Sequence, residues 1–533
     1  MMNPFTRLAL VLTLLLSTET ALARVGFGDP MAVYRDRQPG ESSVWHGYLR
    51  LRSAAYQNLN LVEGSTRSPS GQILWPTGSD ATDRTGGADM RMRLGGSIFV
   101  ASDLRFIVEA DLLDNVTLGA TPRGTPMSGR YGIVAGTQSQ TAYSLHDTLR
   151  LRIASAEVLT PLGVLSAGRS ASHFGLGIAA NDGAGLDDDS GDLADRIAFT
   201  APFMGHFLSV AFDWAASGAT LLPHGRQTEL PNPQMLSDGL RSISFSFLHF
   251  RAPWEVELYR QSNRPVLDYG IAVTHQWQQT DVPAYYDSLD AELAQSETMR
   301  VDRGYRAWAV DTWCRLVTGT LRLEAEAIAI PFSIQNPSTQ AGIAYTTPTE
   351  GLPYGATLVL EWTPSETARS LLWEVGFASA DAAYGFPFHG PTSSTGGAPG
   401  DYFGTQVTGA DDLNINSFRF HPSYQVDLIL WRTLLGGVSE AAYARTRVRD
   451  TFLDTFTLEA AAIYSHGLKP ASNPGGIAPL GVEADLSALV EIGQFSARLD
   501  YGLLFPLGGL AIRGNQPNSP AQLLMMRLGY EAS

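Results

Sequence analysis

Arginines recur two residues apart along this chain: Arg50 and Arg52, Arg91 and Arg93, Arg150 and Arg152, with Arg105 between the last two pairs. On an extended backbone such pairs share one face, because successive side chains of a strand point to opposite sides. A guanidinium stripe can hold carboxylate or phosphate oxygens through paired hydrogen bonds. Arg498 and Arg527, close to the C-terminus, sit in the same kind of alternating context. A second group is acidic: Asp311, Glu324, Glu326, Glu361, Glu374, Glu459, Glu483 and Asp485. Two walls of opposite sign facing each other across a space would orient dipolar solutes and filter ions. Neighbouring strands could equally pair these charges and hold a wall together, as Glu109 and Asp111 near Arg105 allow.

The elements that must position these residues are strands. Leu49, Leu51 and Ala55 alternate with Arg50 and Arg52, and the same pattern extends to Leu59 and Leu61. Met90, Met92, Leu94 and Ile98 alternate with Arg91 and Arg93. Leu321, Leu323 and Ala325 are offset from Arg322, Glu324 and Glu326, and Val482, Ala484 and Leu486 from Glu483 and Asp485. Each segment has one apolar wall and one charged wall. The segments are roughly ten residues long, as a tilted membrane-spanning strand requires.

Connections alternate between short and long. Short ones fall at 101–103, 160–163, 203–206, 251–253, 318–320, 364–368 and Gly493. Long polar ones fall at about 62–88, 115–146, 171–194, 215–240, 277–304, 332–354, 380–440 and 506–520. Short turns at one end and long loops at the other mark an outer-membrane barrel, whereas a soluble sandwich has no reason to keep that beat. The expected fold is all-β: a closed transmembrane antiparallel barrel of about 18 strands, within 16–20. This count merges 254–262 with 267–276 into one irregular strand. It also leaves 414–440, with its apolar Leu428-Ile429-Leu430-Trp431 run, in an outside loop. Tyr48, Trp214, Trp254, Trp277, Trp362, Tyr464, Tyr501 and Tyr530 suit interfacial aromatic girdles.

The N-terminus reads as an export leader. Arg7 precedes the apolar run Leu8–Leu16, and Ala21-Leu22-Ala23 offers a cleavage site. Residues 1–23 are therefore expected to be a signal peptide, 24–44 a periplasmic extension or plug, and 45–533 the barrel. The single cysteine, Cys314, excludes an intrachain disulfide and a thiolate zinc site, and its parity puts it on the lipid side. A formal net charge of −16 argues against a nucleic-acid partner.

Between Asn181 and Asp192, Asp187, Asp189 and Asp192 gather on a glycine-containing segment. Clustered carboxylates suit calcium, a hard cation that takes several oxygens. The twelve-residue loop closed by glutamate is absent, and an acidic loop paired with interior arginines as a constriction is the competing reading. No other cofactor is expected. His146, His173, His249, His275, His389 and His421 are scattered, and no Gly-x-Ser-x-Gly elbow accompanies them, so an enzyme is not expected.

Several stretches resemble a family of large porin-like bacterial outer-membrane barrels. They are Leu159 to Arg169 with Asn181-Asp182-Gly183 and Asp187-Asp188-Asp189, Phe418 to Pro422 with Val426 to Arg432, and Tyr501 to Leu507. The Ala167-Gly168-Arg169 element also looks like strands of alginate-export type porins. The resemblance implies a barrel and brings no established substrate. Residues and resemblance together imply a channel in the Gram-negative outer membrane, in contact with its lipid and passing small polar or anionic solutes. Export of an anionic polysaccharide, a surface receptor or adhesin working through long loops, and a membrane esterase are the alternatives.

Overall fold

The computed structural model describes residues 42–59, 61, 84–118, 149–215, 240–262, 264–281, 301–336, 348–364, 368–381, 414–453, 455–470, 473, 475–511 and 519–532. The leader, most of the proposed extension and much of the outer loops lie outside these residues.

Eighteen long strands form the wall. They are β1 (Ser43–Gln57), β2 (Arg84–Phe99), β3 (Leu104–Asp111), β4 (Arg150–Thr160), β5 (Gly163–Ala171) and β6 (Leu193–Phe203). Next come β7 (His206–Ala215), β8 (Leu240–His249), β9 (Val266–Asp281), β10 (Val301–Val317), β11 (Leu321–Ala329) and β12 (Tyr354–Trp362). The last six are β13 (Arg369–Ala378), β14 (Ala441–Phe452), β15 (Phe456–Gly467), β16 (Pro479–Ile492), β17 (Phe495–Pro506) and β18 (Ala521–Ala532). Each pairs antiparallel with the next, and β18 returns to β1, with Arg52 opposite Arg527 and Arg50 opposite Gly529. Closure leaves no free sheet edge, which is what allows a sheet to stand in lipid.

The alternation read from the sequence is the alternation of the wall. Leu49, Leu94, Phe106, Trp308, Leu323, Trp373, Leu486 and Met526 are exposed outward, while Arg50, Arg93, Arg105, Asp311, Glu324, Glu374, Asp485 and Arg527 are buried inward. A belt of exposed large apolar side chains around a closed barrel is stable only against hydrocarbon, so the chain is an outer-membrane β-barrel. Trp214, Trp362, Tyr464 and Tyr530 are exposed on that face, as girdle positions require. Tyr48 is not: it shares the parity of Arg50 and faces inward under the Arg93 guanidinium, 5.4 Å from its ring centroid. Cys314 is exposed on the outer face.

Three expectations need correction. Residues 254–262 are not strand. Pro253–Gln261 form helix α1, although Trp254, Val256 and Leu258 alternate with Glu255 and Glu257 as a strand would. Pro253 in the first turn lacks only an N–H that has no helical acceptor, the Ser262 hydroxyl closes on Leu258 O at 2.8 Å, and Arg260 Nε anchors the far end to Gly319 O at 3.1 Å. Leu59 and Leu61 do not continue the lipid face. Positive φ at Asn58 (58°) and Leu61 (60°) turns the chain inward, and both leucines are buried in the barrel interior. Residues 414–440 are likewise a connection, but one that folds into the lumen. Phe420, Ile429, Leu430, Trp431 and Val438 are almost fully buried there against Ile328, Tyr443, Leu480, Leu504 and Leu523 of the wall. Leaving these side chains in water would forgo roughly 1.5–3 kcal/mol apiece.

Candidate channel lumen

The expected basic residues lie on β1–β4 and across the β17–β18 closure. The register sets Arg50 opposite Arg91, Arg52 opposite Arg527, and Arg498 opposite Arg527. Like charges directly opposed on paired strands destabilise a sheet. Counter-charge comes from the wall and from a second inward loop, residues 172–192, between β5 and β6. Asp189 lies 2.8 Å from Arg52, 3.1 Å from Arg50 and 3.5 Å from Arg91. Asp187 lies 3.3 Å from Arg52 and 3.3 Å from Arg527. Arg50 also donates to Asn115 and Leu186 O, and Arg91 to Asp188 O. From the wall, Asp89 pairs with Arg50 and Arg52, Asp111 with Arg93 at 2.7 Å, Glu157 with Arg105 at 2.8 Å and Glu109 with Arg152 at 3.0 Å.

Burial alone would raise the Asp189 carboxyl, but the charges of Arg52, Arg50 and Arg91 outweigh it and hold it below the ordinary carboxylate range. Among the described residues the Asp188 carboxylate pairs with no guanidinium. Burial, reinforced by the charges of Asp187, Asp182 and Asp189 and opposed by the Gly185 N–H, pushes it up to about 7.

The calcium candidates therefore have other partners. Asp187 and Asp189 are ringed by arginines, and Asp192 accepts the Asn181 N–H at 3.1 Å and faces His421 at 3.7 Å. Among the described residues no three acidic, histidine or cysteine side chains gather for a metal. In this structure the partners of these three carboxylates are arginines, a backbone N–H and a histidine.

The acidic wall does something the sequence did not reveal: it caps backbone. Glu326 accepts the N–H groups of Leu176, Gly177 (2.9 Å) and Ile178 (3.2 Å) in loop 172–192. Glu483 accepts those of Leu428 (3.0 Å), Ile429 (2.6 Å) and Leu430 (3.0 Å) in loop 414–440. Asp427 then caps the next two, from Trp431 and Arg432, where a π-helical turn (Leu430–Leu435) begins. A carboxylate suits this position because a helical start leaves its first N–H groups unpaired and partially positive. Glu374 takes the hydroxyls of Tyr443 (2.6 Å) and Tyr424 (2.8 Å). Glu324 receives Trp313 Nε1 at 2.8 Å, and Asp311 is buried close to Glu326.

The two loops also hold each other. Arg432 reaches Asp187 at 2.6 Å, the Ser423 hydroxyl donates to Ser190 O at 2.7 Å, and the His421 N–H donates to Ile178 O at 2.7 Å. One body, tied to both walls, thus crosses the lumen.

Two lumen features were visible in the sequence but went unread. Arg445, Arg447 and Arg449 alternate on β14, inside the wall expected to be acidic, near Glu374, Glu361 and Glu459. Ser242, Ser244 and Ser246 alternate on β8 and join Thr200, Ser209 and Thr274 in a hydroxyl-lined wall, with Thr200 to Ser209 at 2.8 Å and Ser244 to Thr274 at 2.9 Å.

The lumen charges are wetted unevenly. Arg322 is 36% exposed and Arg449 24%, whereas Glu324 is 6% and Glu374 5% exposed. Glu324 and Glu374 are enclosed by the groups they bind, as are Arg50 and Arg91, while Arg322, Arg449 and Arg150 reach the water.

No family model matches this sequence, and no curated protein matches it. Among solved structures, the chain is similar to OpdK from Pseudomonas aeruginosa, with 10% identity, 92% of this chain and 98% of that one covered, and a TM-score of 0.45. It is similar to OccK11 (OpdR) of the same organism at 11% identity, 91% and 95% coverage and a TM-score of 0.43. An anion-selective porin from Comamonas acidovorans gives 10% identity, 92% and 99% coverage and a TM-score of 0.40.

Proposed function

We propose that this barrel is a porin-like channel for small polar solutes with a preference for anions. The observation that carries the reading is the unequal wetting of charge in the lumen. Arg322, Arg449 and Arg150 present partly exposed guanidiniums, while most of the expected acidic wall is enclosed by loop N–H groups, hydroxyls and arginines. Exposed charge sets the local potential felt by a passing ion, and paired, enclosed charge contributes little. On this reading the wetted charge beside the constriction is carried by Arg150, Arg322 and Arg449 more than by the carboxylates around them. Two loops tied across the bore favour small solutes over an extended polysaccharide.

The test is a planar bilayer measurement on purified full-length protein under a salt gradient. Conductance with a reversal potential on the anion side supports the reading. A cation-selective channel, or a folded barrel that does not conduct, overturns it.

A further inference from the structure

Helix α1 plays no part in the lumen, and its position is unusual. It occupies the connection between β8 and β9, at the end of the barrel that otherwise carries short turns and is periplasmic in outer-membrane barrels. Its N-terminus follows directly on β8, and Arg260 at its other end is bonded to Gly319 in the turn joining β10 to β11. Nine helical residues rise about 13 Å, close to the roughly 14 Å that three inter-strand spacings occupy. The helix therefore runs along the rim, with its axis near the bilayer plane.

Trp254 and Leu258, four residues apart and so on one helical face, are 62% and 55% exposed. They stand at the end of the barrel where β8 and β9 meet the rim. Phe203 and Met204, in and beside the adjacent turn, and Leu267 at the start of β9 are exposed too. The turn is tied to the foot of β8 by His249 Nδ1 and Gly205 O at 2.7 Å. Immediately above, on the outward face, His206 stacks on Phe247 with centroids 4.4 Å apart and bonds the Tyr269 hydroxyl at 2.7 Å, forming an aromatic girdle patch. Arg264, exposed just past the helix, adds a cation at headgroup height.

We propose that α1 is an interfacial anchor, laying Trp254 and Leu258 into the acyl boundary of the periplasmic leaflet with Arg264 beside the phospholipid phosphates. The exposed Phe203, Met204 and Leu267 at the same rim, beside the outward-facing aromatic patch, select lipid as the occupant. An in-plane helix with large apolar side chains on one face and a flanking cation matches the physics of a monotopic segment. Tryptophan at that depth has its ring in hydrocarbon and its N–H toward water.

The sole cysteine makes the test direct. In a Cys314→Ser background, an environment-sensitive fluorophore is placed by Leu258→Cys, with Asp103→Cys in a polar turn as the water-exposed control, and the full barrel is reconstituted in phosphatidylglycerol–phosphatidylethanolamine vesicles. The expected result is blue-shifted emission at position 258, quenching by shallow lipid-borne nitroxides, and several-fold weaker iodide quenching than at position 103. Iodide quenching equal to the control overturns the proposal and leaves the face open to water for a periplasmic protein. Protection from iodide without nitroxide quenching also overturns it and points to contact with a second copy. Should the labelled variant fail to fold, brominated-lipid quenching of the wild type against Trp254→Phe asks the same question. Equal loss of fluorescence in the two would exclude Trp254 from the bilayer.

Discussion

Asp187 of one inward loop lies 2.6 Å from Arg432 of the other, joining segments 245 residues apart. The same carboxylate is 3.3 Å from Arg527 on the last strand and 3.3 Å from Arg52 on the first. A single group thus links both loops and both strands of the closing seam.

Asp187→Asn should loosen that link and leave three guanidiniums short of counter-charge. Removing one partner from a buried charge network costs about 3 kcal/mol. The expected outcome is a lower unfolding temperature together with larger current fluctuations in single-channel records. An unchanged melting profile and steady current would show that the loops are held mainly by other contacts.

Glu483→Gln replaces a carboxylate that receives three N–H groups with an amide that has a single acceptor oxygen. Loop 414–440 should lose about 1–3 kcal/mol of local stability, seen as faster hydrogen exchange over 428–435. Exchange in loop 172–192 should change less, because Glu326 and Asp189 still hold it.

Loop 172–192 should also respond to pH through Asp188. A carboxyl raised to about 7 in the folded loop keeps its proton where an unfolded one has already lost it. Its stabilising contribution is therefore complete in acid and disappears as pH climbs from about 4, the ordinary carboxylate value, to about 7. Hydrogen exchange of 183–190, corrected for intrinsic rates, should be slower at pH 5 than at pH 8. Asp188→Asn should remove most of that difference.

The arginines divide into two kinds. Replacing Arg322, Arg447 and Arg449 with glutamine should shift the reversal potential toward zero with modest loss of stability, because these groups are partly wetted. Replacing Arg50 and Arg91 should do the reverse, lowering stability by several kcal/mol with little change in selectivity at first opening. If selectivity followed Arg50 instead, the division by exposure would be wrong.

The wall was legible because its physics is local. Parity along Leu321 to Glu326 or Val482 to Asp485 already tells which side meets lipid, and seam closure already brings Arg498 and Arg527 beside β1. The interior was less legible because it depends on partners far apart in the chain. Nothing near Leu428 to Trp431 announces that Glu483 will cap its N–H groups, and nothing in Asp187 to Asp189 distinguishes a cation site from a set of guanidinium partners. Helix α1 was misread for a third reason. Five residues of Trp-Glu-Val-Glu-Leu satisfy a period of two as well as they satisfy 3.6, and the contact that favours the helix, Arg260 on Gly319, is tertiary. The arginines of β14 and the serines of β8 were within reach of the same parity rule that located Arg50 and Arg52.

The facing of Arg52 by Arg527 bears on how the molecule assembles. Zipping the first strand to the last brings two guanidiniums side by side, and the carboxylate that reconciles them arrives on a segment threaded inside. Sealing the cylinder and stocking its interior are thereby linked: Asp89 of the wall answers Arg52, but Arg527 finds its carboxylate on the threaded loop.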